Sequence, residues 1–259
     1  MWQEERHRRI RKLLASAHSI SAERIASELG VSRETVRRDL IELAARGALR
    51  RTHGGAVALH APETTSVPAM GGVSARHAHA IAQAGAAQVL EGETVFVCAG
   101  ELSAHVAHAL SMRQGLTVIT NAFDVATRLA ADPSQGAAAG NRAVVLGGAV
   151  PAGAHATSGE QTIAEIHRYQ ADAALLMPAA VDARHGAMYE DLADAEVARA
   201  MAANARRVIV LATDRRIGTT ARVSACPADR MACLVTPRKA LGVAGYDALA
   251  AVARQIVLV

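Results

Sequence analysis

Apolar residues recur three or four positions apart in the first fifty residues, which is the spacing of one face of a helix. The pattern predicts a helix over residues 4–16, a second that begins after Ser21 and ends at Gly30, and a third that begins after Ser32 and ends at Gly47. Serine hydroxyls cap free backbone N–H groups, and glycine ends helices readily. Because the last two helices are separated by so short a turn, they predict a helix-turn-helix.

The third helix carries its expected buried stripe at Val36, Leu40 and Leu43, which leaves its arginines on the outside. After it, residues 48–57 have the pattern of two short strands around a polar turn, which predicts a wing. Residues 61–73 contain proline and glycine with little apolar content and are interpreted as a linker. The first domain is therefore predicted to span residues 1–60.

From residue 74 to residue 259, short apolar runs alternate with alanine-rich helical segments. Such alternation predicts an α/β domain with a mostly parallel sheet. The predicted strands are Thr94–Cys98, Leu116–Thr120, Ala143–Leu146, Ala173–Met177, Arg207–Ala212, Cys233–Thr236 and Ile256–Val259. The predicted helices lie near Ile81–Val89, Ala104–Met112, Val125–Ala131, Thr162–Tyr169, Ala193–Asn204 and Tyr246–Ala253.

Charge is distributed unevenly along the 259 residues, whose net charge is +4. Residues 1–60 hold 12 basic and 7 acidic residues, whereas the remainder holds 16 and 17. A basic module before a near-neutral one predicts a nucleic-acid-binding head on a sensor or catalytic body. Aromatic residues make up only 2% of the chain, which argues against an aromatic-lined sugar or nucleobase groove.

No apolar run reaches the ~18 residues that span a bilayer, and the first segment lacks a signal peptide's apolar stretch, so we expect a cytoplasmic protein. The three cysteines show no paired spacing of a zinc or redox site, which predicts reduced thiols without a function. His77 with His79, and His105 with His108, form pairs that lack further ligands at a recognisable interval. We therefore predict no metal and no cofactor.

The segment VSRETVRRDLIELAARGALRRTHGGA, residues 31–56, carries a more specific signal than a helix-turn-helix pattern alone. Its Arg-Arg-Asp-Leu run at residues 37–40, followed by Arg-Arg-Thr-His-Gly-Gly-Ala at residues 50–56, resembles the signature of the DeoR-type bacterial transcription regulators. The resemblance implies a winged helix-turn-helix and a sensor domain similar to the ribose-5-phosphate isomerase and CoA-transferase fold. It also implies a repressor of sugar or small-metabolite genes that acts as a homo-oligomer on palindromic or repeated operator DNA and responds to a small effector, often a phosphorylated sugar.

Arginine side chains bond guanine edges bidentately and neutralise phosphates. We therefore expect Arg33, Thr35 and Arg37 to contact base edges. The residues expected to contact phosphates are Ser32, Arg38, Arg51 and His53. A competing interpretation is that Arg38 only forms helix-surface ion pairs with Glu34 and Glu42.

The resemblance places the effector site after the apolar strands of the second domain. The residues predicted to form it are Gly100, Glu101, Ser103, Thr120, Asn121, Asp182, Asp214 and Arg216. The chain departs from the family in the loop at residues 98–103, where Cys-Ala-Gly-Glu-Leu-Ser replaces the usual Asp-x-Gly-Ser/Thr-Thr. Glu101 would repel a phosphate there, whereas Arg216 is able to hold an anion.

Two further departures remove polar groups: Met188 and Tyr189 replace a pair of hydroxyl residues, and Ala198 replaces a lysine. Two interpretations remain open. The effector is an unphosphorylated, hydroxylated or cationic molecule that donates hydrogen bonds to Glu101, or Glu101 neutralises its own helix terminus and the pocket is vestigial.

An isomerase-like enzyme with an appended DNA-binding domain is the alternative function, since the implied fold also houses sugar isomerases. Such an enzyme needs a carboxylate base beside a lysine, and the chain has only Lys12 and Lys239. Neither has the setting of a buried, activated amine. We therefore expect a binding protein and not an enzyme.

Overall fold

The computed structural model describes residues 2, 5–10, 19–45, 49–52, 55–58, 74–131 and 140–259. The chain divides into two units, Met1–Thr64 and Thr65–Val259. The linker predicted at residues 61–73 lies outside the described residues, as does the helix end predicted at Gly47. Each unit has a hydrophobic core of its own.

The first unit combines helices with a small antiparallel sheet in the order β1-β3-β2. Its described elements are helix α1 at residues 5–10, β1 (Ser19–Ser21), α2 (Ala22–Leu29), α3 (Arg33–Ala45), β2 (Leu49–Thr52) and β3 (Gly55–Ala58). The winged helix-turn-helix prediction is confirmed. Strand β1 is an addition that the sequence pattern did not predict, and it pairs with β3.

The helix boundaries of this unit follow from local chemistry. The Ser21 hydroxyl accepts a hydrogen bond from the Arg24 N–H at 3.2 Å and caps α2. Gly30 ends α2 with φ +64°, a left-handed conformation that glycine adopts without steric cost. The predicted stripe on α3 is buried, with Val36, Leu40 and Leu43 at most 3% exposed.

The second unit is built on a seven-stranded, all-parallel sheet in the order β13-β12-β10-β7-β4-β5-β6, with a separate antiparallel sheet β11-β9-β8. Its strands are β4 (Thr94–Val97), β5 (Thr117–Thr120), β6 (Arg142–Val145), β7 (Ala171–Leu176), β8 (Ala180–Asp182), β9 (Gly186–Tyr189), β10 (Ala205–Leu211), β11 (Val223–Cys226), β12 (Met231–Thr236) and β13 (Ile256–Leu258). Its α-helices are α4 (Ala75–Ala86), α5 (Ser103–Ser111), α6 (Phe123–Ala130), α7 (Glu160–Ile166), α8 (Leu192–Ala203) and α9 (Tyr246–Val252).

All seven predicted strands and six predicted helices of this unit are present, and the α/β prediction is confirmed. The small antiparallel sheet was not predicted. Alternate residues of each central strand enter different cores: Val95 and Val97 pack on one face with α4, α5 and α6, whereas Phe96 packs on the other with α8. Both faces of the sheet are therefore covered, which explains the unbroken apolar runs.

The order of strands fixes where a ligand site belongs. From β4 the chain proceeds to β5 and β6 on one side, and it then crosses to β7 on the other side of β4. The carboxyl ends of β4 and β7 therefore flank the point where the strand order reverses, which is where the binding crevice of an open parallel sheet is expected. In the described part of the chain, no helix is both long and apolar enough to cross a bilayer.

Candidate functional site

The outer face of α3 presents three arginines that the sequence assigned to DNA. The side chains of Arg33, Arg37 and Arg38 are 71%, 67% and 76% exposed. Arg33 pairs with Glu23, while Arg37 and Arg38 lie 3.9 and 3.5 Å from Glu34. Exposed pairs of this kind contribute little stability, so these arginines can exchange a carboxylate for a phosphate or a base at small cost.

The two hydroxyl residues predicted to touch DNA hold the start of α3. The Ser32 hydroxyl accepts a hydrogen bond from the Thr35 N–H at 3.1 Å, and the two side-chain oxygens lie 2.8 Å apart. Arg51 lies on β2 opposite Ala56, which places its backbone in the wing. His53 falls outside the described residues, so its role, like that of Arg51, stays a prediction.

Asp39, inside the arginine-rich signature, has a structural role that the sequence analysis missed. Its carboxylate is buried and accepts hydrogen bonds from Arg6 Nε at 2.7 Å and Nη2 at 3.0 Å, while His7 Nε2 lies 3.1 Å away. The hydrogen bonds that Arg6 donates to Asp39 raise the pKa of Arg6. This cluster fastens α1 to the helix that carries the exposed arginines. Its position between Val36 and Leu40 on the buried side of α3 was the available signal.

In the second unit, six of the eight predicted effector residues follow the carboxyl ends of β4, β5 and β10, Thr120 is the last residue of β5, and Asp182 is the last residue of β8. Gly100 packs against the residue after β7: a Cβ on it would lie 2.5 Å from Met177 Cβ and 3.1 Å from Met177 O. Only glycine allows this approach. The loops after β4 and β7 are thus in direct contact at the crevice.

Thr120 and Asn121 are brought to the same edge, but their polar atoms are occupied by the protein itself. Thr120 Oγ1 donates to the Val97 carbonyl at 2.6 Å. Asn121 Oδ1 accepts from the Ala99 N–H at 2.9 Å, and its Nδ2 donates to the Thr157 carbonyl at 2.9 Å. Both side chains are buried, so they position the loops around the crevice.

Two ion pairs lie along the carboxyl edge. Arg216 Nη2 donates to Glu101 Oε2 at 3.1 Å, and its Nη1 donates to the Ala179 carbonyl at 3.0 Å. Lys239 Nζ lies 3.4 Å from Asp214 Oδ2. The guanidinium of Arg216 therefore joins the loops after β4, β7 and β10, and Lys239 continues this row to the loop after β12.

Ser103 and Asp182 make local contacts. The Ser103 hydroxyl donates to Asp124 Oδ2 at 2.5 Å, which links α5 to α6. Asp182 accepts from the His185 N–H, and His185 Nδ1 lies 2.8 Å from its other oxygen. Burial raises the pKa of Asp182, but the hydrogen bonds from His185 outweigh it and leave the pKa lowered. Asp182 is accordingly a carboxylate that holds the β8–β9 turn.

No group of three or more His, Cys, Asp or Glu side chains in the described residues is arranged to hold a metal ion. The histidines on α4 and α5 nevertheless approach each other, with ring centroids of His79 and His108 6.2 Å apart. Arg128 Nη2 lies 2.7 Å from His108 Nδ1, and His105 Nδ1 is buried without a hydrogen bond to a described residue.

Each of the two units matches the model of a known protein family. The model of the DeoR-like helix-turn-helix domain matches residues 6–61, and that of the DeoR C-terminal sensor domain matches residues 74–238. The chain belongs to the DeoR family.

Among the relatives of this DeoR-family chain, the glycerol-3-phosphate regulon repressor of Escherichia coli (strain K12) is 28% identical over 224 residues, which are 86% of each chain. The transcriptional repressor AccR of Agrobacterium fabrum is 31% identical over 227 residues, 85% of this chain and 86% of that one. The full-length sorbitol operon regulator SorC of Klebsiella pneumoniae matches 92% of this chain and 91% of its own, with a TM-score of 0.39 and 11% identity.

Three of the positions that the sequence analysis identified as departures from the family pattern, Cys98, Tyr189 and Ala198, belong to one buried cluster. Tyr189, in place of a hydroxyl residue, is buried, and its hydroxyl makes no well-formed hydrogen bond to a described residue. It lies beside the thiol of Cys98, whose pKa burial raises to about 12. Cys98 is therefore a packed, protonated thiol.

Proposed function

We propose that this DeoR-family protein is a transcriptional repressor whose C-terminal unit binds a small metabolite and thereby changes affinity for operator DNA. The observation that carries the proposal is the row of exposed arginines on α3, whose carboxylate partners are also exposed. The names of the similar proteins, which are repressors, support it.

Base contacts are assigned to Arg33, Thr35 and Arg37 at the start of α3, the part of a recognition helix that reaches base edges in the major groove. The proposed phosphate contacts are Ser32, Arg38, Arg51 and His53. The protein acts in the cytoplasm as a homodimer or higher oligomer. A two-fold arrangement would place the recognition helices about 34 Å apart on inverted half-sites.

The first test is a DNA-binding comparison on fragments selected by the purified protein from the source genome. Arg37→Ala should weaken binding to a selected fragment by about 1–3 kcal/mol and relax the preference at one base pair. Arg222→Ala is the matched control, because that arginine is 83% exposed, pairs with an acid 3.7 Å away and lies in the other unit. The control should bind as the parent does, in fluorescence anisotropy at fixed salt.

A uniform loss across all sequences would make Arg37 a phosphate contact. Unchanged binding by Arg37→Ala, with folding intact, would contradict the assignment of α3 as the recognition helix. Failure of the parent protein to select any fragment would contradict the proposed function as a whole.

The carboxyl edge of the parallel sheet is the proposed effector site, and binding without catalysis is the proposed activity. The side chain of Lys239 is 71% exposed and already paired with Asp214. The lowered pKa of Asp182 makes it a poor proton acceptor. Neither residue has the features of an isomerase base or of its lysine partner.

A further inference from the structure

The charged groups at the crevice between β4 and β7 neutralise each other. Arg216 is 27% exposed and Glu101 is 43% exposed, so the pair lies at the surface of the crevice and not in the core. The guanidinium uses Nη1 for the Ala179 carbonyl and Nη2 for Glu101. Both of its terminal nitrogens therefore already have an acceptor from this chain.

A phosphate group entering this crevice would meet an arginine that has a carboxylate partner 3.1 Å away. It would have to displace Glu101 from Arg216. The displaced carboxylate would remain nearby, on the loop after β4, and would repel the phosphate as a like charge. Another cation along the edge, Lys239, is paired with Asp214 at 3.4 Å. A dianion thus gains little from either of these two cations, whereas hydroxyl or amine groups can donate to the carboxylate of the half-exposed Glu101.

We propose that Glu101 is a specificity-determining residue: its carboxylate acts as a built-in counter-ion for Arg216 and excludes phosphorylated effectors from the site. The inference rests on the proposed function in placing the effector at the carboxyl edge. The site accepts an unphosphorylated, hydroxylated or amine-bearing metabolite. A single substitution that removes the carboxylate frees Arg216 and restores phosphate binding.

The test uses the full chain and inorganic phosphate, the group common to all phosphorylated effectors. Binding is followed by thermal unfolding and by calorimetric titration, with sodium chloride at matched ionic strength as the reference. The parent protein should show no phosphate-specific shift. Glu101→Ser, which replaces the carboxylate with a short hydroxyl, should bind phosphate at least about tenfold more tightly and show a concentration-dependent stabilisation.

Two controls separate this effect from a general change in charge. Glu190→Ser removes an acid that is 49% exposed and 3.7 Å from Arg222 in the same unit, and it should leave phosphate binding at the parent level. The double variant Glu101→Ser with Arg216→Gln should lose the gain, because the freed cation is then absent.

Phosphate binding by the parent at the strength of Glu101→Ser would overturn the proposal, as would a gain in Glu190→Ser or a gain that survives Arg216→Gln. No gain in a folded Glu101→Ser protein would also overturn it. The proposed function is judged separately, by whether the phosphate that binds Glu101→Ser also changes its affinity for a selected DNA fragment. Phosphate binding without any effect on DNA would contradict effector control while leaving the role of Glu101 intact.

Discussion

The two units use polar residues in opposite ways. On α3, Arg33, Arg37 and Arg38 point outward and pair with acids that are themselves at least 60% exposed. At the carboxyl edge of the parallel sheet, Thr120 and Asn121 are buried and hydrogen-bonded to neighbouring strand ends and loops of the same unit. The first unit keeps its polar groups available for a partner, while much of the second holds its own loops in place.

This difference matters for interpreting motifs. A residue type that suits DNA or an effector becomes a candidate contact only when its polar atoms are exposed or are held by a partner that can be exchanged. By that measure Arg37 and the Glu101–Arg216 pair remain candidates, whereas Asn121 positions the site. Asp39 is the exception within the first unit, because it is buried in the middle of the DNA-binding signature.

The largest effect on stability is expected at Asp39. Asp39→Ala removes the carboxylate that accepts two hydrogen bonds from the largely buried guanidinium of Arg6. Loss of one partner of a buried pair should reduce the free energy of unfolding of the first unit by about 3 kcal/mol. Scanning calorimetry of the full chain should show a lower transition for that unit alone.

Glu34→Ala is the control for Asp39→Ala, since it removes an acid on the exposed face of the same helix. Its effect on stability should stay below about 0.5 kcal/mol. Equal losses in the two variants would break the distinction between buried and exchangeable carboxylates on α3.

A smaller but measurable effect is expected at Asn121. Asn121→Ala leaves the Ala99 N–H and the Thr157 carbonyl without their side-chain partner, at a cost of about 2 kcal/mol to the second unit. Chemical denaturation is the measurement, and Thr127→Ala, on the exposed side of α6, is the control that should change little. A neutral Asn121→Ala would indicate that this amide is free to contact the effector directly.

Local sequence patterns were sufficient to predict most of the helices and strands. The seven parallel strands were predicted because each contains a short apolar run, which in the central strands is buried on both faces, and the caps at Ser21 and Gly30 were predicted because their chemistry is local. The strands that were missed are only three or four residues long, such as β1 and β8, and they depend on partners elsewhere in the chain.

The candidate site was less predictable, for a related reason. Arg216 and Glu101 were each predicted as effector residues, but they are 115 positions apart, so no sequence pattern indicated that they neutralise one another. Asp39 and Arg6 are 33 positions apart, and Asn121 reaches a carbonyl 36 positions away. Whether a polar residue is available or already occupied is decided by such distant contacts.

The smallest expected effect concerns the histidines of α4 and α5, which face each other and Arg128 of α6. Burial lowers the pKa of His105 below its ordinary value of 6.5, and the neighbouring His79 and His108 add to the effect. As the pH falls, the unfolded chain therefore binds this proton before the folded chain does. The contribution to stability is complete above about pH 6.5 and is lost progressively as the pH falls towards the lowered pKa.

His105→Gln should flatten the decline of the unfolding temperature between about pH 7.5 and pH 5.5, because the buried titrating group is gone. His77→Gln, on the exposed part of α4, should retain the slope of the parent protein. If the two variants instead behave alike, His105 is as accessible to protons as a surface histidine. In that case the histidines of α4 and α5 would be available to solvent or a partner, as the arginines of α3 are, and would not be held by internal contacts, as Thr120 and Asn121 are.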